Sequence, residues 1–146
     1  MIRRFRKSDA EACSKIIKLS LNRRMQADSR KRVLCETTPS ALVKDMKNKQ
    51  YFVCEKSKKI VGIGALSKRE NEVRTMYIHP KFQGKGIGTE ILNSIEKEAK
   101  KRKINKLILY THDPAFKFYL KNGFSIIKKF INNKGETVFY MEKGIK

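Results

Sequence analysis

One stretch of the sequence decides the fold: MYIHPKFQGKGIGT, residues 76–89. An apolar segment there ends at Pro80, three glycines follow within five residues, and a regular apolar pattern then begins. Glycine adopts positive φ and lets a ligand approach the backbone, and the free N–H groups of a helix N-terminus bind phosphate oxygens. We therefore predict a strand, a phosphate-binding loop and a helix, with Lys85 adding a mobile positive charge. A loop that merely turns tightly between strand and helix is the alternative.

Two common phosphate-binding motifs do not fit this loop. A Walker A loop needs G-x-x-x-x-G-K-[ST], but the Gly84-Lys85 pair stands at the front of the loop and is followed by Gly86. A dinucleotide fingerprint needs G-x-G-x-x-G, and position 89 is Thr where the third glycine would stand. The remaining pattern is Q-x-x-G-x-G over residues 83–88.

The segments on either side of the loop predict a parallel crossover. Before it, residues 72–79 read as a strand whose apolar positions change phase between Val73 and Met76, which a bulge near Thr75 would explain. After it, one helical stripe carries Ile87, Ile91, Ile95 and Ala99. Residues 107–111 then form a short, nearly continuous apolar strand of the kind buried on both faces. A strand–helix–strand order implies a right-handed connection between parallel strands.

The rest of the chain supplies the other elements of one mixed α/β domain over residues 1–146. A capping box of Ser8 and Glu11 predicts the start of a helix with Ala12, Ile16, Leu19 and Arg23 on one face. The other predicted elements are a strand at 1–6, a helix at 39–46, a hairpin at 51–55 and 60–66, a helix at 114–121 with Pro114 first and Gly123 ending it, and a hairpin at 124–131 and 137–142.

Composition excludes several classes of protein. The 146 residues carry 35 Lys and Arg against 14 Asp and Glu, a formal charge of +21, but 40% hydrophobic residues argue against disorder. No apolar run approaches the roughly 20 residues of a membrane span, so we expect a cytoplasmic protein without a membrane partner. Three cysteines and two histidines show no metal-ligand spacing, and we predict no metal site. Without a basic tail, nucleic acid is not predicted as the primary partner.

The sequence resembles the GNAT superfamily of acetyl-CoA-dependent N-acetyltransferases. Their signature, an apolar strand ending in Pro and then [RQ]-x-x-G-x-[GA], is matched by residues 76–88. A second family element, N-x-x-A-x-x-F-Y-x-x-x-G-F, resembles residues 112–124, where His112 stands at the position at which Asn is common. The resemblance implies the family's fold, a central mixed sheet flanked by helices.

The same resemblance implies a cofactor and its contacts. Acetyl-CoA is expected to place its pyrophosphate on the loop and its pantetheine arm along a strand edge. The implied cofactor-binding residues are Met76, Tyr77, Ile78, Gln83, Gly84, Lys85, Gly86, Ile87, Gly88, Thr89 and Tyr119. Tyr119 is the implied general acid, which protonates the departing thiolate, and a backbone N–H near Tyr77 or Ile78 would polarise the thioester carbonyl.

The two motifs do not themselves identify the general base or the acceptor. Glu72 is our candidate base because its strand borders the expected reaction centre, and Glu36, His79 or a chain of waters are the alternatives. The basic segment 22–36 suggests an amine acceptor in an anionic context, since a strongly basic protein repels free polyamines. A homodimer agrees with the resemblance. The competing hypothesis is a non-catalytic RNA- or ribosome-associated binding module that keeps the fold.

Overall fold

The computed structural model describes residues 1–21 and 27–146. Its secondary structure is mixed α/β, as predicted. In chain order the elements are β1 (Ile2–Arg4), α1 (Ala10–Ser20), α2 (Ala27–Glu36), α3 (Pro39–Asp45), β2 (Lys49–Lys56), β3 (Lys59–Ser67), β4 (Val73–Ile78), α4 (Ile87–Lys101), β5 (Lys106–Thr111), α5 (Phe116–Lys121), β6 (Ser125–Ile131) and β7 (Thr137–Gly144). Single 3-10 turns at Lys7–Asp9 and Pro80–Phe82 precede α1 and the glycine loop.

The strands form two antiparallel sheets that meet at one point. The first has the order β1-β2-β3-β4 and the second β5-β7-β6. They are joined by a parallel bridge between Glu72, just before β4, and Ile108 in β5. The predicted parallel crossover through α4 is thereby confirmed. Because the strand pairs of the described residues include no other link between β4 and β5, the sheet is split beyond this bridge.

A bulge in β4 confirms the predicted change of phase. Ile63 of β3 pairs with Tyr77 and Ala65 pairs with Arg74, so two residues of β4 oppose Gly64 alone. One of them, Thr75, has φ of +56°. The extra residue resets the alternation, and Val73 therefore faces the same core as Met76 on the next part of the strand.

Two apolar cores lie on opposite sides of the first sheet. One is built on α4, whose Ile87, Ile91, Ile95 and Ala99 are all buried as predicted. The other lies under α1 and α3 and includes Tyr51, Val53, Ile63 and Ala65 from the sheet. Burying a side chain of this size contributes roughly 1.5–3 kcal/mol, so these layers hold the first sheet between α4 on one face and α1 with α3 on the other.

The predicted start of α1 is wrong. No Ser8 cap forms; instead Asp9 accepts the Arg6 backbone N–H at 2.7 Å and a forked pair of bonds from the Arg3 guanidinium at 2.8 and 2.9 Å. The predicted apolar face is also partly wrong, because Ala12 and Leu19 are exposed while Cys13 and Ile17 are buried with Ile16. Arg23 lies outside the described residues.

Two details of the second half are corrected. β5 is not buried on both faces, since burial alternates along it and Tyr110 is 54% exposed. The strand is an edge of its sheet, and one of its faces is open. α5 begins at Phe116, so Pro114 lies in the preceding turn rather than in the first helical position. The two predicted hairpins, β2–β3 and β6–β7, are confirmed. Within residues 1–21 and 27–146, no helix combines the length and hydropathy that membrane crossing requires.

Candidate active site

A cleft of about 1990 Å³ opens where β4 and β5 separate. It is larger than the roughly 300–1,000 Å³ of a pocket for one small ligand, so it has room for a long cofactor and an acceptor. One end is lined by residues 82–84 and 86–89, and the middle by 72–78 and 109–115. The other end lies among residues of α2, α3 and the turn between β6 and β7.

The glycine loop presents an open surface at the N-terminus of α4. Gly86 is the N-cap residue of this 15-residue helix and has φ of +82°, a conformation that favours glycine. A Cβ added at Gly84 or Gly86 would meet no atom within 4 Å, so the described residues leave the loop uncovered at these two positions. Among the predicted loop residues, Lys85 does not line the cleft; its Nζ lies 5.2 Å from the centre of the Phe82 ring.

A close contact between α4 and α5 brings Tyr119 to the cleft. A Cβ at Gly88 would lie only 2.9 Å from two ring atoms of Phe118, so only glycine permits this packing. Tyr119 is 7% exposed, and its ring packs edge-on against Phe118 and Phe124. Burial, and then the nearby Tyr77 phenol, raise the pKa of Tyr119 well above its ordinary value. Its phenol is therefore protonated at neutral pH.

The end of β4 carries contacts that the sequence did not indicate. Gln83 Nε2 donates a hydrogen bond to the carbonyl oxygen of Ile78 at 3.3 Å, and Ser20 Oγ lies 2.7 Å from that oxygen and 2.7 Å from the Ile16 carbonyl oxygen, between which it shares its one proton. Ser20 stands 58 residues away in the chain, so no local pattern could have found it.

Glu72 lies where the two sheets meet. Its carbonyl accepts the Ser67 N–H at 3.0 Å, and its side chain is 17% exposed, with the Arg74 guanidinium 3.8 Å away. Burial raises the pKa of the Glu72 carboxyl; Arg74 opposes the shift, and the charge and hydrogen bond of Glu70 add to it. This carboxyl lines the cleft together with Glu70.

The remaining candidates take varied positions. Glu36 lines the cleft, while His79 Nδ1 accepts the Lys81 N–H at 3.1 Å and so caps the turn before the loop. His112, at the position where the motif departs, donates from Nδ1 to the Thr137 carbonyl at 3.1 Å. Ser29 of α2 donates to Glu136 Oε1 at 2.9 Å, which links α2 to the β6–β7 turn across the far end of the cleft.

Comparison with known proteins gives the family. The family described as acetyltransferase (GNAT) domain matches residues 7–145 of the chain. The chain belongs to this family. A curated relative, named as an uncharacterized N-acetyltransferase of Methanocaldococcus jannaschii, is 35% identical over 86 residues. That match covers 51% of the chain and 38% of the relative, so the chain spans well under half of that protein.

Solved GNAT structures share the fold over nearly the whole chain. PaiA N-acetyltransferase of Thermoplasma acidophilum, solved in complex with coenzyme A, has a TM-score of 0.82 at 22% identity and covers 99% of this chain and 98% of its own. Ribosomal-protein-S18-alanine N-acetyltransferase of Escherichia coli has a TM-score of 0.74 at 17% identity, covering 100% and 94%. At these identities the likeness establishes the fold, and the predicted GNAT-like fold is confirmed.

Proposed function

We propose that the protein is an N-acetyltransferase that moves an acetyl group from acetyl-CoA to an amine acceptor by direct transfer. One observation carries the proposal: the split between β4 and β5 places an open glycine loop, a strand edge and a buried protonated phenol on a single cleft. Membership of the GNAT family supports the same activity.

The cleft suits the parts of acetyl-CoA. The backbone N–H groups of the uncovered Gly84 and Gly86, at the positive end of the α4 dipole, suit the pyrophosphate. Gln83, Ile87, Gly88 and Thr89 complete this end of the cleft. Lys85 is exposed beside the loop and adds long-range attraction for a polyanion rather than a contact inside the cleft. The edge of Met76, Tyr77 and Ile78 suits the pantetheine arm.

The chain's own residues supply the proton transfers. Bound acetyl-CoA supplies a thioester carbonyl carbon that forms a C–N bond with the amine while its C–S bond breaks. Tyr119 holds its proton until a thiolate needs it, because burial raises its pKa. Glu72 takes a proton from the amine, directly or through water. A backbone N–H after the bulge, at Tyr77 or Ile78, stabilises the negative charge on oxygen.

Cofactor binding is tested by thermal unfolding. Acetyl-CoA at about 100 times its Kd adds roughly 2.7 kcal/mol to the free energy of unfolding, which corresponds to a rise in Tm of about 5–10 °C. G86A places a side chain in the left-handed region at the N-cap of α4, and we expect it to lose most of this rise. G135A is the matched control: Gly135 has φ of +78° and equally open surroundings, but lies in the β6–β7 turn.

Two outcomes would contradict the proposal. A wild-type Tm that acetyl-CoA leaves unchanged would exclude binding at the loop. An equal loss of the Tm rise in G86A and G135A would show that the glycine loop is not the site at which acetyl-CoA binds. The competing RNA-binding module predicts instead an affinity for RNA that falls steeply with salt.

The charges of the cleft bear on the acceptor. Among the described residues that line it, acidic and basic side chains are equal in number, although the whole chain has 14 acidic and 35 basic residues. A neutral cleft admits an amine, while the basic exterior attracts the anionic part of a larger molecule. The acceptor we propose is therefore an amine in an anionic context. The lining groups are Glu36, Asp45, Glu70, Glu72, Asp113 and Glu136 against Arg32, Lys44, Lys47, Lys49, Arg69 and Arg74.

Salt dependence tests this acceptor class. At low salt we expect kcat/KM for the N-terminal amine of an acidic peptide to exceed that for spermidine about tenfold or more, and the gap to shrink at about 0.15 M salt, where the Debye length is about 8 Å. K31Q/R32Q on α2 should reduce the preference. K100Q/K101Q at the end of α4 makes the same charge change away from the cleft and should not. Equal turnover of both acceptors at low salt would contradict the proposal.

Assembly and location stay predictions. A homodimer would give twice the mass of 17.0 kDa in solution. The cytoplasmic location is likewise an expectation from the sequence.

A further inference from the structure

The helix that carries Tyr119, α5, is too short to hold its own position. It has six residues, Phe116–Lys121, and isolated helices shorter than about 12–15 residues are only marginally stable in water. Contacts with the rest of the domain must therefore set the direction in which its side chains point. One such contact is the packing of Phe118 on Gly88, near the start of α4.

A lysine of β7 makes a second contact, at the end of α5. Lys143 Nζ donates to the backbone carbonyl of Asn122, the C-cap residue of α5, at 2.7 Å. It also donates to Glu96 Oε2 of α4 at 3.0 Å. Lys143 therefore ties the end of α5 both to α4 and to the second sheet.

The surroundings of this contact hold the lysine side chain in place. The side chains of Lys143 and Glu96 are 25% and 18% exposed, so solvent and salt screen their attraction less than that of a fully exposed pair. The residue that follows α5 and its cap is Gly123, with φ of +92°. A Cβ at this position would lie 3.0 Å from Lys143 Cε, so the lysine stem lies directly against the turn that ends the helix.

The same turn of the chain includes Tyr119. The Tyr119 carbonyl accepts the N–H of Asn122 at 3.1 Å and that of Phe124 at 3.0 Å. Asn122 Nδ2 also donates to the Phe118 carbonyl at 2.9 Å. Because Asn122 is bonded to both residues, a shift of its backbone would be passed on to Tyr119.

The two contacts are spread along α4. Gly88 and Glu96 are eight residues apart, which is about 12 Å along a helix axis. Tyr119 lies between Phe118 and Asn122, the two residues of the α5 segment that make these contacts. Either contact alone would leave α5 free to tilt about that point.

We propose that Lys143 is a positioning residue: it holds the last turn of α5 against α4 and so fixes the direction of the Tyr119 hydroxyl in the cleft. The inference rests on the proposed function, in which Tyr119 protonates the departing thiolate. A misplacement of about 1 Å in such a group costs up to about a hundredfold in rate. Because the contact of Phe118 with Gly88 would remain, we expect loss of the lysine contact to cost about tenfold.

The test is a double-mutant cycle of K143M and Y119F. Methionine keeps much of the lysine stem but cannot donate to Asn122 or Glu96. In the wild-type background K143M should lower kcat about tenfold, while KM for acetyl-CoA changes by less than about twofold, since Lys143 does not line the cleft. In the Y119F background K143M should lower kcat by less than about twofold, because the hydroxyl that Lys143 positions is absent.

Two further variants complete the cycle. K106M is the matched control: Lys106 Nζ lies 3.3 Å from Glu142 Oε2, in a pair that joins β5 to β7 rather than to a helix, and its kcat should match the wild type. E96Q is a milder change of the pair itself, since the amide oxygen still accepts from Lys143 but carries no charge. It should lower kcat about twofold to threefold, again only while Tyr119 keeps its hydroxyl, and it decides the question if K143M does not fold.

An NMR measurement reports the position of the phenol without turnover. In ligand-free protein with isotope-labelled tyrosine Cζ atoms, the signal that is missing from Y119F belongs to Tyr119. K143M should shift this signal and speed the hydrogen exchange of the Phe124 N–H, which donates to the Tyr119 carbonyl. K106M should change neither.

The proposal is overturned if K143M leaves kcat and the Tyr119 signal unchanged. It is also overturned if K143M lowers kcat by the same factor with and without the Tyr119 hydroxyl, which is the result expected of a residue that only stabilises the fold. Failure of the proposed function looks different: the wild-type protein would then show neither turnover nor a Tm rise with acetyl-CoA, while the NMR signals would still report whether Lys143 positions Tyr119.

Discussion

Replacement of Tyr119 by phenylalanine is expected to lower kcat by about 10²–10⁴-fold, the usual contribution of a general acid. Only the hydroxyl group is removed, and the ring keeps its contacts with Phe118 and Phe124. KM for acetyl-CoA should therefore change much less than kcat. Steady-state kinetics, with release of free thiol as the signal, measures both.

The pH dependence of the wild-type enzyme adds a second check on this residue. An acid works only while protonated, and the pKa of Tyr119 lies above its ordinary value because the side chain is buried. The wild-type rate should thus show no fall from loss of this proton as pH rises to about 10. Y140F controls for loss of a tyrosine hydroxyl elsewhere, because Tyr140 donates to Glu142 Oε2 at 2.7 Å and does not line the cleft, and its kcat should match the wild type. A Y119F enzyme with wild-type kcat would remove Tyr119 from the chemistry.

The sequence predicted well those features in which buried residues recur at a regular spacing, because each such element packs one face against a core. α4 has one buried stripe because its helix lies on a sheet, and its spacing is visible without any other part of the chain. The bulge could be predicted for the same reason. Val73 and Met76 face one core, yet side chains at this odd spacing point to opposite faces of a regular strand. The glycine loop was marked by Gly86, which stands at a left-handed N-cap.

The features that the sequence could not predict depend on partners far along the chain. Asp9, rather than Ser8, organises the start of α1 because Arg3 reaches it from β1. β5 looked buried on both faces because its composition is apolar, but its exposure depends on the split between the sheets. Only the assembled sheet brings these groups together.

The sequence indicated only part of the candidate site. Both motifs are local, and the loop and Tyr119 that they single out line one cleft. Lys85 also belongs to the motif segment, yet its side chain lies over Phe82 rather than inside the cleft, because rotamer and packing decide where a long side chain goes. The environment of Glu72, set by Glu70 and Arg74 and by burial, was not visible either.

Glu72→Gln is expected to lower kcat/KM by about 10²–10⁴-fold at neutral pH, because the amide cannot take the proton of the amine. The loss should shrink as pH rises through the pKa of the acceptor, about 8 for a peptide N-terminus, since a free amine needs no base before attack. This recovery at high pH distinguishes a lost base from a damaged fold.

The fall of kcat/KM at low pH is the more specific test of Glu72 as the general base. A carboxyl acts as a base only when ionised, and the pKa of Glu72 is raised, so the wild-type kcat/KM should fall as pH drops through that raised pKa. E72Q should lack this limb. E70Q removes the neighbour whose charge and hydrogen bond raise the pKa of Glu72, and should move the limb to lower pH while kcat is kept. If E72Q retains the wild-type limb, the base lies elsewhere, with Glu36 or a chain of waters the next candidates, and Glu72 serves only to join the two sheets.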